Sequence, residues 1–137
     1  MKNNKIKSID LFAGCGGLMD GFEQSGHYDI IATVEWEKSP CINIENRLRN
    51  KWKYSDANDR VLRFDIQRTD ELFNGWKDDP VYGSSDGLDT LVEKANGIDV
   101  IIGGPPCQAY SIAGRVRDEK GMKDDYRNYL FESYIKV

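Results

Sequence analysis

Hydrophobic positions along this chain fall into four short runs joined by stretches of helical spacing. Ile6-Lys7-Ser8-Ile9-Asp10-Leu11-Phe12 alternates apolar and polar residues, turns apolar, and meets Ala13-Gly14-Cys15-Gly16-Gly17, which predicts a strand followed by a tight turn. Leu18, Met19 and Phe22, closed by Gly26, predict a short amphipathic helix with a glycine stop. Tyr28 to Val34 is β-branched and apolar, the composition of a buried strand. Ser39 suits an N-cap and Pro40 a first helical residue, so a helix carrying Ile42, Ile44 and Leu48 is predicted to end near Trp52. Val61 to Phe64 is a third strand, ending at Asp65; Ile98 to Ile102 is a fourth and runs into Gly103-Gly104-Pro105-Pro106-Cys107.

The pattern weakens from Thr69 to Ala95. Asp78-Asp79-Pro80 and Tyr82 to Gly87 have loop chemistry, while Leu88, Leu91 and Val92 predict a helix feeding the fourth strand. From Tyr126 to Val137, helical spacing in Leu130, Phe131, Tyr134 and Ile135 lacks any stop signal, as if the chain were cut within or at the end of a helix. Alternating strands and helices predict an α/β domain with a doubly wound, mostly parallel sheet and ligands at the carboxyl ends of its strands. The 137 residues suit one domain and one core.

Composition adds exclusions. A mean hydropathy of −0.62 and no long apolar run leave nothing to span a membrane, and the basic N-terminus lacks the apolar stretch of a signal peptide, so the cytoplasm is the expected compartment. Cys15, Cys41 and Cys107 have neither disulfide nor zinc-site spacing, so no metal is expected. The net charge of −4 lacks the basic excess of a polyanion-binding protein. Gln108 to Val137 is nearly balanced, with six Lys/Arg against five Asp/Glu, so it offers little phosphate affinity.

The candidate chemistry sits at the strand ends. Gly14, Gly16 and Gly17 allow a sharp turn close to a ligand, but Met19 stands where a dinucleotide fingerprint has its third glycine. Glu35 follows Gly16 by 19 residues, near the spacing at which a carboxylate meets a ribose diol. Trp36 could lie on an adenine and Asp65 could accept from its amino group. Taken singly, the glycine turn, Trp36 and Asp65 read as ordinary turn, packing and solvated strand end; their shared rim points to adenosine without a diphosphate. Cys15 and Cys41 are expected to be buried small apolar residues. Cys107 differs, because Gly103-Gly104-Pro105-Pro106 makes a rigid, exposed backbone suited to presenting a nucleophile.

Asp10 to Leu18 and Gly104-Pro105-Pro106-Cys107-Gln108-Ala109-Tyr110-Ser111 resemble the first and fourth signature motifs of DNA cytosine-C5 methyltransferases. Glu35-Trp36 and Asp65-Ile66 fall where that family has its second and third, and Arg127 to Glu132 is similar to the fifth, with Asn128 in place of the usual glycine. The resemblance implies an incomplete Rossmann-like methyltransferase fold, with residues 1–137 as the N-terminal part of the catalytic domain. It implies that Phe12, Gly14, Gly16, Glu35, Trp36, Asp65, Ile66, Pro106 and Leu130 surround S-adenosylmethionine. Cys107 would be the nucleophile toward C6 of a cytosine flipped out of double-stranded DNA, with Gln108 and Ser111 near that nucleotide. Compact members of the family are shorter between Asp65 and Cys107, so an added surface loop is expected around Asp78 to Gly87.

In that family a Glu-Asn-Val motif, a later Arg-x-Arg motif and a target-recognition region come after the fifth motif, so none of them is expected within these 137 residues. The expectation is a chain inactive alone, with a C-terminal complementing polypeptide as partner. A bacterial restriction–modification role, acting at the nucleoid, is the family prior. An aromatic after Pro105-Pro106 would indicate amino-nitrogen methylation; Cys107 favours carbon chemistry. An RNA cytosine-C5 methyltransferase, a non-catalytic cofactor-binding subunit and a nicotinamide oxidoreductase stay open, the last disfavoured by Met19 and Cys107.

Overall fold

The computed structural model describes residues 4–106 and 130–137. Strand β1 (Ile6–Leu11) leads through the glycine turn to helix α1 (Gly17–Gln24), and β2 (Tyr28–Glu35) to α2 (Lys38–Asn50). A short α3 (Ala57–Arg60) enters β3 (Val61–Arg63). Then come α4 (Thr69–Asn74), β4 (Trp76–Asp79), β5 (Gly83–Ser85), α5 (Leu88–Lys94), β6 (Val100–Gly103) and α6 (Leu130–Lys136).

Four strands form one sheet in the order β3-β2-β1-β6, every neighbouring pair parallel. The chain builds outward from β1 to β3 and returns to the other side of β1, so a topological switch point lies between β1 and β6. Register aligns the strand ends: Leu11 pairs with Val34 and with Gly103, and Glu35 pairs with Arg63. The segments after all four strands therefore emerge on one rim.

Both faces of the sheet are covered. Met19 of α1 and Ile44 and Leu48 of α2 pack with Ile30 and Ile102 on one side. Leu72, Leu88 and Leu130, from α4, α5 and α6, pack with Ile9, Leu11, Ala32 and Val34 on the other. The apolar run Ile30-Ile31-Ala32 spans an irregularity in which Ser8 pairs with Ile30 but Ile9 with Ala32. The extra residue moves Ala32 to the face opposite Ile30, although the two are an even number apart.

Several sequence expectations are corrected. Helix α2 begins at Lys38 behind Glu37, with Ser39 and Pro40 inside its first turn. Proline is tolerated there because the first four helical N–H groups have no intrahelical acceptor. The Asp78 to Gly87 segment is not an irregular loop: β4 and β5 make an antiparallel hairpin. Its base is closed by glycines: a Cβ on Gly87 would lie 2.4 Å from Gly75 N. Cys15 is exposed at the turn, whereas Cys41 is buried.

Gly103 allows β6 to approach β1 beside α6, since a Cβ there would sit 2.4 Å from Leu11 O and 2.9 Å from Tyr134 Cε2. The first obstacle is backbone and cannot rotate away. Gly103→Ala should cost more than about 3 kcal/mol, read as a shift in the urea midpoint. An unchanged midpoint would contradict this packing.

Candidate functional site

A cavity of about 340 Å³ opens at the rim where the strand ends converge. The turn after β1 supplies Phe12 and Gly14; the end of β2 and the residues just past it supply Val34, Glu35, Trp36 and Glu37; α2 supplies Pro40. The third strand end contributes Phe64 to Gln67, the fourth Gly104 and Pro106, and α6 adds Leu130. Its volume lies within the ~300–1,000 Å³ typical of small-ligand sites.

Eight of the nine residues singled out as cofactor neighbours line this one cavity: Phe12, Gly14, Glu35, Trp36, Asp65, Ile66, Pro106 and Leu130. Gly16 does not. Its φ of 80° makes the turn into α1, and a Cβ there would meet Ile44 Cγ1 at 3.1 Å and Met19 Cε at 3.2 Å. Gly16 thus sets turn geometry and helix packing. Cys107, Gln108 and Ser111 lie outside the described residues. Val34, Glu37, Pro40, Phe64, Gln67 and Gly104 were not anticipated as cavity walls. All but Pro40 lie within two residues of an anticipated one, so strand-end adjacency was the available signal.

Glu35 is the most constrained wall. Its Oε2 accepts from Gly14 N–H at 2.8 Å, and its Oε1 from Trp36 N–H at 2.9 Å and Glu37 N–H at 3.1 Å. One carboxylate therefore locks the turn after β1 to the turn after β2. A carboxylate has roughly four acceptor sites, so Oε2 retains capacity for a ligand hydroxyl. Asp65 Oδ1 accepts from Gln67 N–H at 3.0 Å, a local turn that brings Gln67 onto the cavity wall. Phe12 has a φ of 56°, a left-handed conformation that is costly for an aromatic residue and persists where the surroundings enforce it.

Behind the glycine turn lies Asp10, fully buried. Its Oδ2 accepts from Met19 N–H at 3.2 Å, while Oδ1 has no partner among the described residues. Burial raises its pKa from 3.8 to about 7; the Met19 N–H works against that rise and the charge of Glu35 adds to it. Burial, aided by Glu35, likewise pushes the Cys41 thiol up to about 12, so Cys41 is an inert thiol at neutral pH.

The fold and this rim define an open, doubly wound α/β domain with its cavity beside the switch point, a class that holds nucleotides and nucleosides at the carboxyl ends of its strands. The chain belongs to the C-5 cytosine-specific DNA methylase family, whose model matches residues 6–137. It is 34% identical to the type II methyltransferase M.Bpa9945I of Bacillus paralicheniformis over 94% of this chain and 37% of that protein. To M1.HphI of Haemophilus parahaemolyticus it is 30% identical, over 94% of this chain and 28% of the relative. M.HgiGI of Herpetosiphon aurantiacus is 32% identical over 83% of this chain and 68% of its own length. The chain thus spans about a third of the length of the first two relatives.

The Asp10 pKa gives a signed prediction. Between pH 3.8 and about 7 the native state holds a proton that the unfolded chain has released, so stability falls as pH rises and levels off above 7. The full effect is on the order of 4 kcal/mol. Asp10→Asn keeps an acceptor for Met19 and should flatten this slope, raising the melting temperature at pH 8 relative to the parent. Equal slopes for the two proteins from pH 5 to pH 8 would refute the assignment.

Proposed function

We propose that this chain is the cofactor-binding and nucleophile-bearing N-terminal part of an S-adenosylmethionine-dependent DNA cytosine-C5 methyltransferase. The supporting observation is the charge of the cavity. Among its described lining residues are the carboxylates of Glu35, Glu37 and Asp65, and no Lys, Arg or His. A dinucleotide would bring a diphosphate against these acids. S-adenosylmethionine brings adenosine with a sulfonium and an ammonium, which an acidic cavity favours. Apolar walls, among them Phe12, Trp36, Ile66 and Leu130, suit the adenine and the methionine chain.

In this reading Glu35 Oε2 accepts from a ribose hydroxyl, Asp65 accepts from the adenine amino group, and Phe12 and Trp36 flank the base. When bound, S-adenosylmethionine supplies an electrophilic methyl group. Cys107 directly follows the cavity residue Pro106 in sequence, and its thiolate adds to C6 of the cytosine. The electrons pushed into the ring would make C5 nucleophilic, and C5 would attack the methyl carbon as its bond to sulfur breaks, the electron pair staying on sulfur as a neutral thioether. Loss of the C5 proton to a base then expels the thiolate and restores the ring. The substrate is double-stranded DNA with the cytosine flipped out, contacted by Gln108 and Ser111. Target recognition and the acid for cytosine N3 come from outside these 137 residues, from further sequence of the same polypeptide or from a C-terminal complementing one. The setting is a bacterial restriction–modification system, in the cytoplasm at the nucleoid.

Titration calorimetry should show the chain binding S-adenosylmethionine in preference to NAD, and Glu35→Ala should weaken that binding at least about tenfold. Equal affinity for NAD would defeat the reading of the cavity. With the complementing part supplied, DNA carrying 5-fluorocytosine should form a covalent adduct that Cys107→Ala abolishes. Methylation surviving in that variant would defeat the mechanism.

A further inference from the structure

The hairpin inserted after β3 is tied directly to the peptide that holds Glu35. Arg63, the last residue of β3, donates from Nε to Trp36 O at 3.3 Å and from a terminal nitrogen to Val81 O at 2.9 Å, in the β4–β5 turn. Its guanidinium also lies 5.4 Å from the centre of the Tyr82 ring. The turn is itself fixed: Asp79 Oδ1 accepts from Val81 N–H and Tyr82 N–H, both at 2.9 Å, while Oδ2 accepts from Arg68 at 2.7 Å.

Trp36 C=O and Glu37 N–H belong to one planar peptide unit and point in opposite directions. Arg63 holds its oxygen, and Glu35 Oε1 accepts from its N–H. Rotation of that plane would break both contacts together. We propose that Arg63 is a positioning residue for the Glu35 carboxylate, and that the β4–β5 hairpin thereby sets the strength of ribose recognition in the cavity. The inference rests on the adenosine-site reading above and goes beyond it, because neither Arg63 nor any hairpin residue lines the cavity.

The test separates ribose recognition from general destabilisation by using adenosine and 2′,3′-dideoxyadenosine as calorimetric probes of the full chain. The parent should prefer adenosine. Arg63→Ala should weaken adenosine binding by roughly three- to tenfold and leave the dideoxy probe unchanged, so the preference collapses. Asp79→Ala, which frees the turn carrying Val81, should act in the same direction but less strongly. The double variant should bind adenosine no worse than Arg63→Ala alone, since Asp79 acts through Arg63. A preference left intact in Arg63→Ala, equal losses for both probes, or additive losses in the double variant would overturn the proposal. A parent that binds neither probe would instead overturn the adenosine-site reading.

Discussion

The Glu35 carboxylate is the constraint on which the rim depends. Parallel strands end together without a hairpin to pair their last backbone groups, so donors beyond β1 and β2 need acceptors from elsewhere. Glu35 accepts from Gly14, Trp36 and Glu37 at once. The same group thereby shapes the cavity wall and remains a polar contact within it. A shorter Asp at this position would have to abandon one turn to serve the other.

That arrangement has an electrostatic consequence for Asp10, whose burial already opposes ionisation and whose proton Glu35 helps to retain. In a dinucleotide fold, the turn after the first strand and the start of the first helix offer N–H groups to a diphosphate. Here the Met19 N–H is committed to Asp10, and Met19 itself is fully buried where a third glycine would allow close helix packing. The glycine turn is kept, but the anion cradle is replaced by an acidic surrounding. The departure from the dinucleotide pattern visible at Met19 is thus an electrostatic change as well as a steric one.

The sequence made the four parallel strands legible because each is a β-branched or alternating run bounded by glycine or an acid, and their ends carried Glu35, Trp36 and Asp65 in plain view. Adjacency in space followed from topology, since strands that end in register must share a rim. The hairpin was hidden for a different reason. Asp78-Asp79-Pro80 and Gly83-Ser84-Ser85 have turn composition, and Trp76, stacked on Phe64 with centroids 3.9 Å apart, is the one large apolar residue in either hairpin strand. Tertiary stacking overrides weak local propensity here. Asp10 was equally opaque, because the alternation that put Ile9 and Leu11 in the core gave no sign that the polar face of β1 would be sealed by α1. The exposure of Cys15 and the start of α2 at Lys38 are boundary effects that propensity does not resolve.

The fourth strand, β6, carries the chain from the core of the sheet to the cavity rim. Gly103 faces Leu11 across the switch point at a separation that admits no side chain, and Tyr134 donates to Ile101 O at 3.3 Å, seating α6 over the same strand. Leu130, on that helix, and Pro106, just past that strand, both reach the cavity. A ligand held there touches β1, β2, β3, β6 and α6 together, so its binding free energy opposes separation of β6 from β1. Occupancy of the cavity therefore steadies the backbone from β6 through Pro106, the residue directly before Cys107 in the sequence, and it does so through the sheet itself.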